Sequence, residues 1–245
     1  MLTIAHISDT HIDAGERSVL RTQRVLRYLA GLARRPDVVL VTGDVADHGA
    51  ESEYERLRDL VDLPSPVLFC PGNHDVREPF RKVLLGVEPD GTPVNRAYRV
   101  GGVLFAMCDS SIPGRDDGLL ADETLDWLDA ELSAAADLPA FVCFHHPPLV
   151  LGTPYVDRIR QFSEDRLARV VARHPQVVAL LCGHAHTAAA TTFAGLPLLV
   201  APGVVSTSVL PFEGDAIVDL EQPPMLAFHV LHDDRRLTTH YRVAP

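Results

Sequence analysis

Apolar runs and amphipathic stretches alternate along the chain as far as Thr187. The run "LTIAHIS" reads as a strand, and Ser18–Arg35 places Val19, Leu20, Val25, Leu26, Leu29 and Leu32 on one helical face. Pro36 separates that helix from a second strand, "DVVLVTGD". The alternation predicts helices over Glu51–Leu63, Pro79–Leu85, Ala121–Ala136 and Ser163–Arg173. Between them lie strands "PVLFCPGN", "AYRV", "VLFAMCDS", "AFVCFHH" and "VVALLCGH". After Thr187 the segments "ATTFAGLPLLVAP", "DAIVDL", "PMLAFHVLHDD" and "RLTTHYRVA" read as successive strands joined by turns. The class is therefore α/β with a β-rich end. With no low-complexity linker and no fixed-period repeat, one domain over residues 1–245 is expected.

Five of the apolar strands stop on short polar signatures: "SDTH" (8–11), "TGDVADHG" (42–49), "PGNHD" (71–75), "FHHPP" (144–148) and "CGHAH" (182–186). In open α/β sheets ligands collect beyond the carboxyl ends of the strands, so these loops are expected to converge. Asp9 and His11 flank Thr10, and His184 and His186 flank Ala185, so an extended backbone would point each pair the same way. With Asp44, Asn73 and His145 they make seven oxygen and nitrogen donors and no thiolate, more than one tetrahedral zinc needs. Two divalent ions are expected from manganese, iron, zinc or cobalt, with manganese or iron favoured by the mixed imidazole, carboxylate and amide set. Such a pair activates water against phosphorus. A lone Asp-x-His or His-x-His is commonly accidental, and Gly43, Gly72 and Gly183 read as ordinary turns. Five signatures in this order, each closing an apolar strand, are not explained that way.

Composition narrows the partners. The 22 Lys+Arg against 33 Asp+Glu give a formal charge of -11, which argues against a general grip on nucleic-acid polymers or anionic lipid. No apolar run reaches the roughly 20 residues of a membrane span, and "MLTIAHISD" lacks a signal peptide's basic region and cleavage site. A cytoplasmic location and no membrane partner are expected. Cys70, Cys108, Cys143 and Cys182 lie in apolar runs without C-x-x-C spacing and read as buried, reduced hydrophobes.

The blocks D-x-H, G-D, G-N-H-D, H and G-H-x-H, present here from Leu2 to about Thr187, resemble the calcineurin-like metallophosphoesterase superfamily. Within it, "HHPPLVLGTPYVDRI" and "LARVVARHPQVVALLCGHAH" are similar to the bacterial class III cyclic-nucleotide and glycerophosphodiester phosphodiesterases. The resemblance implies a four-layer αββα sandwich of two mixed sheets, the β-rich tail supplying the second sheet, with the metals at its rim. It implies Asp9, His11 and His186 on one metal, Asn73, His145 and His184 on the other, and Asp44 between them, with a bridging hydroxide as nucleophile. His145 is preferred over His146 because the family's histidine precedes x-Pro; His146 is expected behind the ligands or facing the core.

By the same resemblance His74 is the outer histidine that binds phosphate or protonates the leaving oxygen. Asp47 is its expected partner, with Asp75 the competing candidate. Asn73, His74 and His48 are the expected substrate contacts. In related protein phosphatases an arginine stands where this chain has His48, so a diester monoanion is favoured over a monoester dianion. Asp13, Asp109 and Tyr155 are further candidates to approach the pocket, and Leu149–Arg160 is a candidate substrate-selecting wall. His174, at a helix end before Pro175, is expected to meet terminal carbonyls.

The leading expectation is a dimetal phosphodiesterase on small diesters, 3',5'-cyclic nucleotides or glycerophosphodiesters. The alternative is a phosphomonoesterase or nucleotide pyrophosphatase on the same site. A non-catalytic scaffold of the same fold ranks last, because every motif residue is retained. The tail after Gly214 reads equally as the surface of a homodimer and as the outer strands of the sandwich.

Overall fold

The computed structural model describes all 245 residues. Strand β1 (Leu2–Ile7) leads through helix α1 (Glu16–Ala30) to β2 (Val38–Thr42), then α2 (Glu51–Leu60) and β3 (Val67–Cys70). Helix α3 (Arg77–Phe80) runs into a π-helical turn (Arg81–Leu85), followed by β4 (Arg96–Val100) and β5 (Val103–Met107). Next come α4 (Asp122–Ala134), β6 (Ala140–Cys143), a 3-10 turn (Val156–Arg158), α5 (Glu164–Val171) and β7 (Val177–Cys182). The remainder is β8 (Ala189–Phe193), β9 (Leu196–Val200), β10 (Thr207–Ser208), β11 (Val218–Asp219), β12 (Met225–Leu231) and β13 (Leu237–Val243).

The five-stranded sheet has the order β13-β12-β1-β2-β3, and the six-stranded sheet β4-β5-β6-β7-β9-β8. Both are mixed: β1, β2 and β3 run parallel beside antiparallel β12, and β5, β6, β7 and β9 run parallel between antiparallel β4 and β8. Period-two alternation sends Ile4, Leu40 and Leu68 inward to meet Phe105, Phe141 and Leu181 of the facing sheet. The outer face of the smaller sheet packs Ala5, Val39 and Val41 against Val25 and Leu29 of α1 and Tyr54 and Leu57 of α2. The larger sheet packs Leu104, Val142 and Leu180 against Leu128 of α4 and Leu167 of α5. The result is helices, sheet, sheet, helices.

Two expectations change. The β-rich tail does not form the second sheet; β8 and β9 extend the sheet of β7, and β12 and β13 extend the sheet of β1. Lone parallel strands need partners at their edges, and the tail supplies them to both sheets. Helix α1 stops at Ala30 rather than Arg35, because Gly31 closes the last turn onto the Arg27 carbonyl and Pro36 disfavours helix at the residue before it. No helix is long and apolar enough to cross a membrane.

Candidate metal centre

The carboxyl ends of β1, β2, β3, β6 and β7 meet at one rim of the sandwich, where the two sheets come together. Main-chain bonds stitch the loops: Asp9 N–H donates to the Gly43 carbonyl (3.1 Å) and His11 N–H to that of Asp44 (2.9 Å). The His184 N–H donates to Asp9 Oδ2 across the sheets (3.2 Å). The chain could not make these turns in extended form. Asp9, His11, Asp44, His184 and His186 all have positive φ, between 42° and 66°. The extended Asp-x-His and His-x-His geometry is therefore replaced by left-handed residues alternating with their neighbours, each costing about 1–2 kcal/mol.

The seven predicted donors lie together. The His145 Nε2 is 3.1 Å from His184 Nδ1 and 3.2 Å from Asp44 Oδ2. The His11 Nε2 is 3.2 Å from His186 Nε2 and 3.5 Å from Asp44 Oδ2. Asp9 Oδ1, fully buried and without a hydrogen-bond partner, is 3.4 Å from His186 Nε2. Opposite nitrogens are fixed by the protein. The His145 Nδ1–H donates to the Thr42 carbonyl (2.7 Å), His11 Nδ1–H to Asp47 Oδ1 (2.9 Å), and His184 Nε2–H to the Ile159 carbonyl (3.1 Å). Each of these rings thus turns its other nitrogen inward. His186 Nδ1 meets the Ser206 hydroxyl at 2.7 Å.

His146 is different. The Ser110 hydroxyl accepts the N–H groups of residues 145 and 146, so its proton goes to His146 Nδ1 (2.8 Å). The His146 Nε2–H is then left to donate to Asn73 Oδ1 (3.1 Å). Both ring nitrogens are engaged, and the residue holds the amide of Asn73.

Electrostatics follow from this crowding. Burial opposes ionisation of Asp44 and Asp9, yet the surrounding imidazoles, His145 for Asp44 and His186 for Asp9, hold both carboxyls below the usual carboxylate value. Burial holds His146 and His184 neutral, reinforced by neighbouring rings. His145 goes the other way: burial lowers its value, but Asp44 beside it raises it further. Two carboxylates and facing imidazole nitrogens, largely buried at the floor of a cleft, are a donor set that cations between them would satisfy.

Around this centre a cleft of about 360 Å³ is lined by His11, Asp44, Asn73, His74, His184 and His186 on the polar side. Tyr155, Val156, Ile159, Ile217 and Val218 form the apolar side. The 149–160 segment is thus a wall of the cleft, and the opposing wall is the β10–β11 hairpin, of which the sequence pattern predicts only the strand at "DAIVDL". Asp47 lies where expected, but its carboxylate faces His11 (2.9 Å) rather than His74 (3.7 Å); His74 Nδ1–H instead donates to the Asp47 carbonyl (2.7 Å). Asp75 does not touch His74. It accepts the N–H groups of Gly72, Val45 and Ala46, and burial followed by Asp44 raises its carboxyl to about 6.

His48, largely exposed, points its Nδ1–H at Glu53 (2.9 Å) outside the cleft. Asp109 is a clasp for Arg77 (2.9 Å), Asp13 bonds Ser18 (2.6 Å), and His174 bonds Asp129 (2.7 Å); none of them lines the cleft. Sequence reasoning missed Thr42, Ile159 and Ser206 as holders of the histidines. Two of them act through main-chain carbonyls, which no side-chain pattern encodes.

The model of the calcineurin-like phosphoesterase family matches residues 2–188. A probable cyclic nucleotide phosphodiesterase of Rhodococcus erythropolis is 34% identical over 222 residues, 86% of this chain and 73% of that protein. A glycerophosphodiester phosphodiesterase of Enterobacter lignolyticus is 35% identical over 216 residues, 83% of this chain and 78% of the other. The crystal structure of a dimetal phosphatase from Danio rerio superposes with a TM-score of 0.74 at 16% identity, over 100% of this chain and 96% of its own, which is a likeness of fold. With the rim of histidines and aspartates falling inside the matched residues, this chain belongs to the calcineurin-like phosphoesterase family.

Proposed function

We propose that this metal-dependent phosphoric ester hydrolase is a phosphodiesterase on small diesters, cyclic nucleotides or glycerophosphodiesters, with two divalent ions, manganese or iron favoured. The observation that carries the reading is the set of inward-facing imidazole nitrogens and the orphaned Asp9 oxygen, 3.1 to 3.5 Å from one another around Asp44. Asp9, His11 and His186 would hold one ion, Asn73, His145 and His184 the other, and Asp44 would serve both. His145 is chosen over His146 because the His145 Nε2 faces Asp44 and His184 among the other donors, whereas both ring nitrogens of His146 are engaged by Ser110 and Asn73. When bound, the ions neutralise the diester's oxygens and lower the pKa of water.

The chain's own groups do the rest. His74 has its Nδ1–H tied to the Asp47 carbonyl; burial opposes its charge but Asp44 and Asp47 raise its pKa, and in the doubly protonated ring Nε2–H binds a phosphate oxygen or passes its proton to the departing alkoxide. Asn73 is steadied for substrate or metal by His146. With His48 turned to Glu53, the position where related phosphatases carry an arginine gives no cationic donor to the cleft, which favours a diester monoanion over a monoester dianion.

The test is hydrolysis of bis-p-nitrophenyl phosphate against p-nitrophenyl phosphate by manganese-loaded protein. A diester preference that Asp44→Asn abolishes is expected. Faster turnover of the monoester would favour a phosphatase instead, and no metal-dependent activity on either would leave the scaffold reading.

A further inference from the structure

We infer that Ser206 is a positioning residue for one ion of the pair and not for the other: its hydroxyl donates to His186 in the metal-free chain and accepts from His186 once that ring holds an ion. This rests on the ligand sets of the two-ion reading above. Three of the four imidazoles in those sets have their outer nitrogen against a group that only accepts. These are the Thr42 carbonyl behind His145, the Asp47 carboxylate behind His11 and the Ile159 carbonyl behind His184. Such partners keep a hydrogen on the outer nitrogen whatever lies inside. His186 has a hydroxyl there instead, with Ser206 Oγ 2.7 Å from Nδ1, and a hydroxyl can donate or accept.

The metal-free fold uses this hydroxyl as a donor. The His11 Nδ1–H is committed to Asp47, so the Nε2 of the neutral His11 ring is a lone pair. The His186 Nε2 stands 3.2 Å from it, a contact that attracts only if the His186 nitrogen carries hydrogen. Asp9 Oδ1, 3.4 Å from the same nitrogen, makes the same demand. With hydrogen on Nε2, Nδ1 of the neutral ring is the acceptor, and the Ser206 O–H donates to it. Once Nε2 is given to an ion, the ring hydrogen belongs on Nδ1 and the Ser206 oxygen accepts it. One hydrogen changes nitrogen and one hydroxyl turns, with no change in the charge of the pair.

The segment that carries Ser206 reaches one ligand set alone. Val204 and Val205 N–H donate to the carbonyls of Ser8 and Asp9 (both 3.0 Å), and Ser208 N–H donates to the His186 carbonyl (2.9 Å). Gly203 permits this approach, since a Cβ there would lie 2.9 Å from His186 Nδ1. Arg17 and Arg21 of α1 brace the segment through the carbonyls of Val205 and Val204, and the hairpin's far end through those of Leu220 and Gln222. Asn73, His145 and His184 are held elsewhere, by His146 and by the carbonyls of Thr42 and Ile159. Ser206 is only 4% exposed, and it lies beyond the residues that the family model matches.

The test reads ring hydrogens and zinc affinity on the full chain, without substrate. In proton–nitrogen spectra of the isotope-labelled protein, His186 should carry its hydrogen on Nε2 without zinc and on Nδ1 with it. Calorimetry separates the sites through two backgrounds: Asn73→Ala leaves the set of Asp9, His11 and His186 whole, and His11→Ala leaves the other. Adding Ser206→Ala should weaken zinc binding about tenfold in the first background and leave the second unchanged. Ser206→Thr, which keeps the hydroxyl, should restore the first. Equal weakening in both backgrounds, weakening in neither, or a His186 Nδ1 that carries hydrogen with and without zinc overturns the inference. A wild-type chain that takes up no zinc overturns the two-ion reading together with it. Two ions held as expected in a chain that prefers monoesters overturns the diester reading and leaves the role of Ser206 standing.

Discussion

Asp47 works through two different groups, and they separate in experiment. Its carboxylate accepts from His11 and its carbonyl from His74. Asp47→Ala removes the first and keeps the second. Metal affinity is expected to fall about 10–100-fold, as when an outer partner of a ligand is lost, with a smaller loss of rate once metal is saturating. Metal titrations of activity distinguish this from damage to His74, which would lower the saturated rate alone. Asp44→Asn removes a charge shared by His11 and His145. Its metal content, read by elemental analysis, should fall further than that of Asp47→Ala. The sequence named Asp47 through its motif, but adjacency along a chain cannot say which of two histidines a carboxylate faces.

The strand ends show how elements build the centre. The loops pack so closely that side chains are excluded at particular glycines: a Cβ on Gly72 would lie 2.1 Å from Asp44 Oδ1 and 2.5 Å from the Asp44 nitrogen. One on Gly183 would lie 1.8 Å from Ser8 Oγ and 2.9 Å from the Thr42 carbonyl. Gly72→Ala is therefore expected to displace Asp44, destabilising the fold by about 1–3 kcal/mol and lowering metal affinity. Denaturant midpoints with and without manganese check both effects. Tolerance of the change would mean the loops are less tightly stitched than their hydrogen bonds indicate. The strands and the polar signatures that close them were legible in the apolar runs; the left-handed turns at Asp9, His11 and His184 were not. Periodicity reports which face a residue takes in regular structure, and it is silent where tertiary bonds force a residue out of it.

Across the whole molecule, buried histidines link stability to pH. His6 and His229, both buried between strands, stand 3.1 Å apart, with His6 also bonded to Thr42 and His229 to Thr239. Burial lowers His229 to about 3, and burial followed by His229 pushes His6 down as well. Because the unfolded chain takes up protons that the folded one refuses, this stability is complete above about pH 6.5 and declines toward pH 3. For His229 the loss between pH 7 and 5 is about 2 kcal/mol. Urea midpoints of the metal-free chain should therefore fall with pH, and less steeply in His229→Leu. Removing metal is a second lever. Metal at about a hundred times its dissociation constant stabilises by about 2.7 kcal/mol, so chelation should lower the thermal midpoint by about 5–10 °C. An unchanged midpoint would mean that no metal holds the rim.

Chemistry that depends on side-chain type at strand ends was written in the chain: the candidate donors and their order along it, because a metal centre needs particular atoms wherever the backbone goes. Apolar periodicity likewise carried the alternation of helices and strands up to β7. The division of the tail between two sheets required the assembled fold, since edge pairing is a long-range matter. So did the tautomers, set by the carbonyls of Thr42 and Ile159, and the hairpin wall, brought to the cleft by Arg17 and Arg21 from the other end of the chain. Main-chain groups are alike at every residue, and where they act only their positions in space can distinguish them.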